Sequence, residues 1–266
     1  MPRLPRRIAC LSTESVEVIY ELGEQDRIAG ISGFTTRPPR ARKEKPRISG
    51  FSSARVERIL AVKPDLVLAF SDMQGDICRE LVKAGLEVHH FNQRSVDDIL
   101  AMIETVGRLI GAEERARQLV AGLEAQIERT RLAAGDLPRR PKVYFEEWHE
   151  PLITGIGWVS ELVAVAGGED IFAGLAAHTS ARRRIVEASA VLAGQPDVIM
   201  ASWCGRKFQP AHLRARPGWE QIPALRTGEL HEIKSALILS PGPAAIREGL
   251  PQLARIVRQW ALRQAA

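Results

Sequence analysis

The sequence predicts an α/β protein of two Rossmann-like lobes with parallel sheets, joined by a single long α-helix. Three observations carry that expectation: one stretch is written twice, a strand–helix–strand order surrounds each copy, and a long amphipathic segment between them has no copy. The expected division is an amino-terminal lobe over residues 1–111, a connecting helix over 112–135 and a carboxy-terminal lobe over 136–266.

The repeat is direct. Residues 56–70 read VERILAVKPDLVLAF and residues 188–202 read ASAVLAGQPDVIMAS, with Pro64 over Pro196 and Asp65 over Asp197 at one offset of 132 residues. Each copy is a short helix ending in Leu-Ala, a Pro-Asp turn and an apolar strand. Proline stops the helix because its ring clashes with the preceding turn and it has no N–H to donate. The unbroken apolar runs that follow are those of strands covered on both faces.

The flanking elements repeat more loosely. A strand over 7–11 leads into Ser12 and Thr13 as a helix cap, a helix to Gly23, then Ile28 and Gly30. In the second half a strand over 142–145 is followed by a helix over 158–166, then Gly167, Gly168 and Ile171. Beyond the Pro-Asp strands, a helix over 77–84 meets Gly85 and a strand over 86–91; its counterpart over 222–227 meets Gly228 and a strand over 229–233. This alternation gives right-handed crossovers and parallel sheets.

Between the halves, Ser95 caps a helix that runs to Gly111. A second helical pattern over 112–134 places Leu119, Val120, Leu123 and Ile127 on one face, with Glu113, Arg117, Glu124, Glu128 and Arg131 elsewhere. At 1.5 Å per residue it spans about 35 Å. It reads as a strut between similar lobes, which predicts little hinge closure on binding.

Composition excludes several classes. Hydrophobic content of 45% and charged content of 26% are those of a soluble globular protein. The net charge of +5 is mild, and the basic run over 37–47 is interrupted by Pro38, Pro39, Pro46 and Glu44. It reads as a solvated loop, and no nucleic-acid partner is expected. Cys10, Cys78 and Cys204 form no CxxC pair, so neither a zinc knuckle nor a disulfide framework is indicated. No apolar run is long enough to cross a bilayer. The basic amino terminus enters a strand with no apolar signal region, so a cytoplasmic protein is expected if Met1 is the native start. Catalysis is not expected, nor a catalytic cofactor. The sequence lacks GxSxG, HExxH and a glycine-rich phosphate loop, and Glu146 and Glu147 are neighbours on an extended segment, where side chains diverge.

Ligands of parallel α/β folds bind beyond the carboxyl ends of the strands. The residues placed there are Ser12, Thr13, Phe34, Phe51 and Phe70 in the first half, and Trp148, His149 and Trp203 in the second. The chain has only seven Phe, five Trp and two Tyr, so five aromatics at strand-end loops point to a flat, conjugated ligand. No metal site is expected. His149 is a weak candidate to ligate a ligand's cobalt or iron, and the bland reading is a hydrogen-bonded loop histidine. His89 and His90 point to opposite faces of a strand and share no metal. His178 with the arginines over 182–184 reads as a polar loop facing ligand or merely solvated. Trp260 reads as core, Trp219 as packing for a turn, and Trp158 as a residue at the rim of the site.

Residues 8–16 (IACLSTESV), 31–39 (ISGFTTRPP) and 56–70, with 145–172 (FEEWHEPLITGIGWVSELVAVAGGEDIF), 216–223 (RPGWEQIP) and 240–243 (SPGP), resemble the helical-backbone class of ABC-transporter solute-binding proteins. Within it the chain most resembles the cobalamin-binding group, with iron-siderophore and haem binders as cousins. The resemblance implies a monomer that holds cobalamin or a related corrinoid in the inter-lobe cleft and delivers it to an ABC transporter permease from the periplasmic or extracellular side. It also implies an acidic docking residue on each lobe. Asp76 and Glu80 are candidates on the first, whereas residues 237–243 on the second contain no carboxylate. That departure and the absent signal region keep open a cytoplasmic corrinoid- or tetrapyrrole-handling protein, or a ferric-siderophore or haem binder of the same fold.

Overall fold

The two Pro-Asp turns fold alike, with one hydrogen bond more at the first. The computed structural model describes residues 4–264. Lys63 and Gln195, each just before its proline, take the left-handed backbone conformation at φ 46°. The Asp65 carboxylate accepts the N–H groups of Arg6 and Arg7 at 2.8 and 2.9 Å, and the Asp197 carboxylate accepts the N–H of Lys142 at 2.9 Å. The N–H of each aspartate donates in turn to Arg7 or Lys142. Each aspartate therefore ties the start of its apolar strand to the start of the neighbouring central strand.

The first unit contains β1 (Ile8–Cys10), β2 (Ile28–Ser32), β3 (Arg47–Ser49), β4 (Leu66–Phe70) and β5 (Val88–Phe91). They form one wholly parallel sheet in the order β3-β2-β1-β4-β5. Every residue of β4 is buried, as its apolar run requires. Cys10 is core as expected, and burial pushes its thiol up to about 12. His89 packs against Phe91 at 4.4 Å while His90 Nε2 lies 2.9 Å from the Ser71 carbonyl, so the two histidines diverge. The basic run is more than a solvated loop. It contains the helical turn Ala41–Glu44, anchored by a 2.6 Å hydrogen bond from the Tyr20 hydroxyl to Glu44.

The second unit contains β6 (Lys142–His149), β7 (Leu152–Thr154), β8 (Glu169–Asp170), β9 (Val198–Ala201) and β10 (Leu230–Glu232). The order β8-β6-β9-β10 repeats β2-β1-β4-β5 with parallel pairing throughout. The addition is β7, which pairs antiparallel with the distal half of β6. The core of this unit includes Tyr144, Ile199, Trp203, Trp219 and Ile222. Trp260 is buried on the helix Leu250–Arg263. Trp158 departs from its expected place at a rim: it is buried, and its indole N–H donates to the Ile238 carbonyl at 2.8 Å.

Two helices lie between the sheets in the chain, Val96–Ile110 and Glu113–Gly135. The second buries Val120, Leu123 and Ile127, the face that its periodicity predicts. Packing divides the chain between Gly122 and Leu123, and assigns Arg94–Val96 to the second unit. The boundary between the units thus falls within the long helix. No helix among the described residues is long and apolar enough to cross a membrane.

Candidate functional site

At the carboxyl end of the first sheet, neutral polar groups hold the chain. The Ser12 hydroxyl is buried 2.9 Å from that of Ser15, and Thr13 Oγ1 donates to Glu14 Oε2 at 3.1 Å. Glu14 lies buried in the first turn of the helix Thr13–Glu21. Burial raises its carboxyl above the ordinary range, against the downward pull of hydrogen bonds from Ser12 and Thr13.

The organising residue here is Gln74, which follows β4 and is wholly buried. Its Oε1 accepts the Phe70 N–H at 2.9 Å, and its Nε2 donates to the carbonyls of Leu11 at 3.1 Å and Phe51 at 2.7 Å. One amide thus fastens the ends of β1 and β4 to the loop that carries Phe51. The three phenylalanines fare differently. Phe34 is 62% exposed, Phe51 is half-buried, and Phe70 is 6% exposed and belongs to the core.

The second sheet ends in a stacked aromatic platform. Trp148 and His149 lie on β6 itself and not in a loop, opposite Ile153 and Leu152 of β7. The His149 ring stacks on Trp203 at 4.3 Å with 29° between planes, and Trp148 tilts against it at 4.9 Å. His212 stands 5.9 Å from His149, and Phe208 meets Trp203 edge-on at 5.2 Å. Trp203 itself is only 3% exposed. It supports the platform, whose partly exposed rings are Trp148 and His149, with the Arg206 guanidinium 5.5 Å over the Trp148 ring.

Buried charge holds this platform. Glu146 has no exposed side-chain surface; it accepts the Trp203 indole N–H at 3.0 Å and two N–H groups of Arg216 at 2.6 and 3.0 Å. Arg216 also lies over the Trp219 ring at 4.3 Å. Glu147 points away, as expected of adjacent strand residues, and accepts two bonds from Arg184 at 2.7 and 3.2 Å. Arg184 donates further to the Thr154 carbonyl and is almost wholly buried, so it is structural and not part of a solvated loop. Forked pairing of this kind is what makes a buried guanidinium tolerable.

Burial, reinforced by the Arg206 cation, holds the His149 imidazole below its ordinary pKa, with Glu146 opposing. The ring is therefore neutral at pH 7. Its Nδ1 is buried with no hydrogen-bond partner among the described residues. A neutral His149 ring carries one N–H donor and one acceptor nitrogen. Among the described residues no group of three or more His, Cys, Asp or Glu is arranged to hold a metal ion.

Asp76 and Glu80 sit exposed on the helix Gly75–Lys83, with Arg79 within 3.3 and 3.6 Å of them and Lys83 3.2 Å from Glu80. Exposed pairs of this kind are weak and exchange readily.

Residues 8–237 match the family described as periplasmic binding protein. The chain is 27% identical over 262 residues to an uncharacterized ABC transporter substrate-binding lipoprotein of Bacillus subtilis, covering 95% of this chain and 80% of that protein. It is 26% identical over 251 residues to a vitamin B12-binding protein of Vibrio parahaemolyticus, covering 90% and 85%. A periplasmic heme-binding protein from Roseiflexus superposes with a TM-score of 0.83 at 24% identity, covering 96% and 99% of the two chains.

Proposed function

The chain belongs to the periplasmic binding protein family, and from that premise we propose that it is a solute-binding protein that holds a cobalamin-like corrinoid for an ABC transporter. The family is one of binding proteins, and catalysis has no part in this reading. The observation that supports the ligand assignment is the placement of exposed or partly exposed aromatic rings toward the strand ends of each unit: Phe34 and Phe51 in the first, Trp148 and His149 in the second. Flat, apolar, low-entropy faces suit a conjugated macrocycle. The His149 N–H suits the amide carbonyls at a corrinoid's edge. In this reading Phe70 and Trp203 back the contact faces, while Ser12 and Thr13 shape the turn after β1.

Relatives named for vitamin B12 favour the corrinoid. The likeness to heme-binding proteins is one of fold and does not rank the ligands. The Bacillus subtilis relative, named as an ABC transporter substrate-binding lipoprotein, supports a permease partner, with Asp76 or Glu80 as its contact on the first unit, and placement outside the cytoplasmic membrane.

The test is the absorption spectrum and mass of whatever co-purifies from cells grown with added corrinoid. A stoichiometric corrinoid supports the proposal. A haem or ferric siderophore taken up in preference, from cells supplied with both, overturns it.

A further inference from the structure

The geometry points to a second binding site, in the carboxy-terminal unit, for a small amphiphilic anion. A groove of about 430 Å³ runs between the helices Glu113–Gly135 and Leu250–Arg263. That volume falls within the roughly 300–1,000 Å³ of small-molecule pockets. Its floor is built from small apolar side chains, Ala133, Ala134 and Ala254 among them, and its rim carries Arg129, Arg255 and Arg258. No carboxylate lines it.

The three arginines differ from their neighbours. On the same long helix Arg117 pairs with Glu114 at 2.6 Å and Arg131 with Glu128 at 2.5 Å. Arg129, Arg255 and Arg258 are exposed and have neither a hydrogen bond nor an ion pair among the described residues. Three unopposed guanidinium groups around one apolar concavity repel each other and draw an anion to it. Guanidinium forks take a carboxylate bidentately, and an attached apolar body covers the alanine floor.

The groove is also held open in advance. The Gln126 amide donates to the carbonyls of Ile246 at 2.8 Å and Arg247 at 3.2 Å, within the π-helical turn Ala245–Gly249. This amide ties the long helix to that turn through two adjacent carbonyls and so fixes the spacing of the helices there. The groove shares no residue with the aromatic platform.

Calorimetric titration with laurate below its micelle concentration tests the site, with acetate and dodecyltrimethylammonium as controls. Laurate is expected to bind at one site per chain, and neither control is expected to bind. Arg255→Gln with Arg258→Gln should weaken laurate at least tenfold, and Ala254→Trp, which fills the floor, should abolish it. Both variants should keep the wild-type melting temperature. Absence of laurate binding, equal binding by the variants, or displacement of laurate by cyanocobalamin overturns the assignment. The site stands or falls whether or not a corrinoid binds elsewhere.

Discussion

At the amino ends of their central strands the two halves of this chain use one device, and at the carboxyl ends they use opposite chemistries. Asp65 and Asp197 clamp the first strand of each sheet through backbone N–H groups, two at Asp65 and one at Asp197, each after a left-handed residue and a proline. At the other end the first half relies on one neutral amide, Gln74, and the second on two buried ion pairs, Glu146–Arg216 and Glu147–Arg184. The repeated end determines the fold and is indifferent to ligand. The divergent end positions the rings. A neutral amide with its bonds met is inexpensive to bury, whereas a buried carboxylate depends wholly on its partner.

That contrast can be broken most easily at Glu146. Glu146→Ala strands the Arg216 guanidinium and frees the Trp203 indole, and should destabilise the second unit by about 3–5 kcal/mol, read by urea unfolding. Gln74→Ala leaves neutral groups unpaired and should cost about 1–3 kcal/mol. Equal losses would mean that the two ends are held with the same strength and that the contrast is one of chemistry alone. Trp148→Ala should weaken ligand binding at least tenfold, about 1.4 kcal/mol, with a small effect on unfolding because the ring is only partly buried.

The repeated end should answer in kind at both copies. Asp197→Ala, which loses one charged hydrogen bond discounted for exposure, should cost about 1 kcal/mol, and Asp65→Ala, which loses two, about 1–2 kcal/mol. A large inequality would show that the two turns are alike in shape and not in energy. The smallest effect is a pH dependence at Glu14. Its folded pKa lies above the unfolded value of about 4.3, so ionisation penalises the native state as pH rises through the folded pKa. Glu14→Gln should match wild type below about pH 4.3 and exceed it in stability at pH 7. An identical stability–pH profile would place the Glu14 carboxyl in water.

What the residues disclosed in advance was local. The Pro-Asp turns are spelled in sequence, and the 23-residue helix Glu113–Gly135 shows its buried face as a period. The position of aromatics after strands was also legible. Their burial was not: Phe34 follows β2 and Phe70 ends β4, yet one is open and the other packed, because neighbours distant in the chain decide exposure. The strand expected over 142–145 continues as β6 to His149 and turns into a hairpin that puts Trp148 and His149 on the sheet. The supports were invisible for the same reason. Glu146 and Arg216 stand 70 residues apart, and nothing in the run around Gln74 distinguishes its amide from a surface glutamine.

The central claim is tested most directly by calorimetric titration of the purified protein with cyanocobalamin at pH 7. The account predicts a single site of one corrinoid per chain, retained in Trp260→Ala and lost or weakened at least tenfold in Trp148→Ala. No heat with any corrinoid, or full affinity in Trp148→Ala, would contradict it.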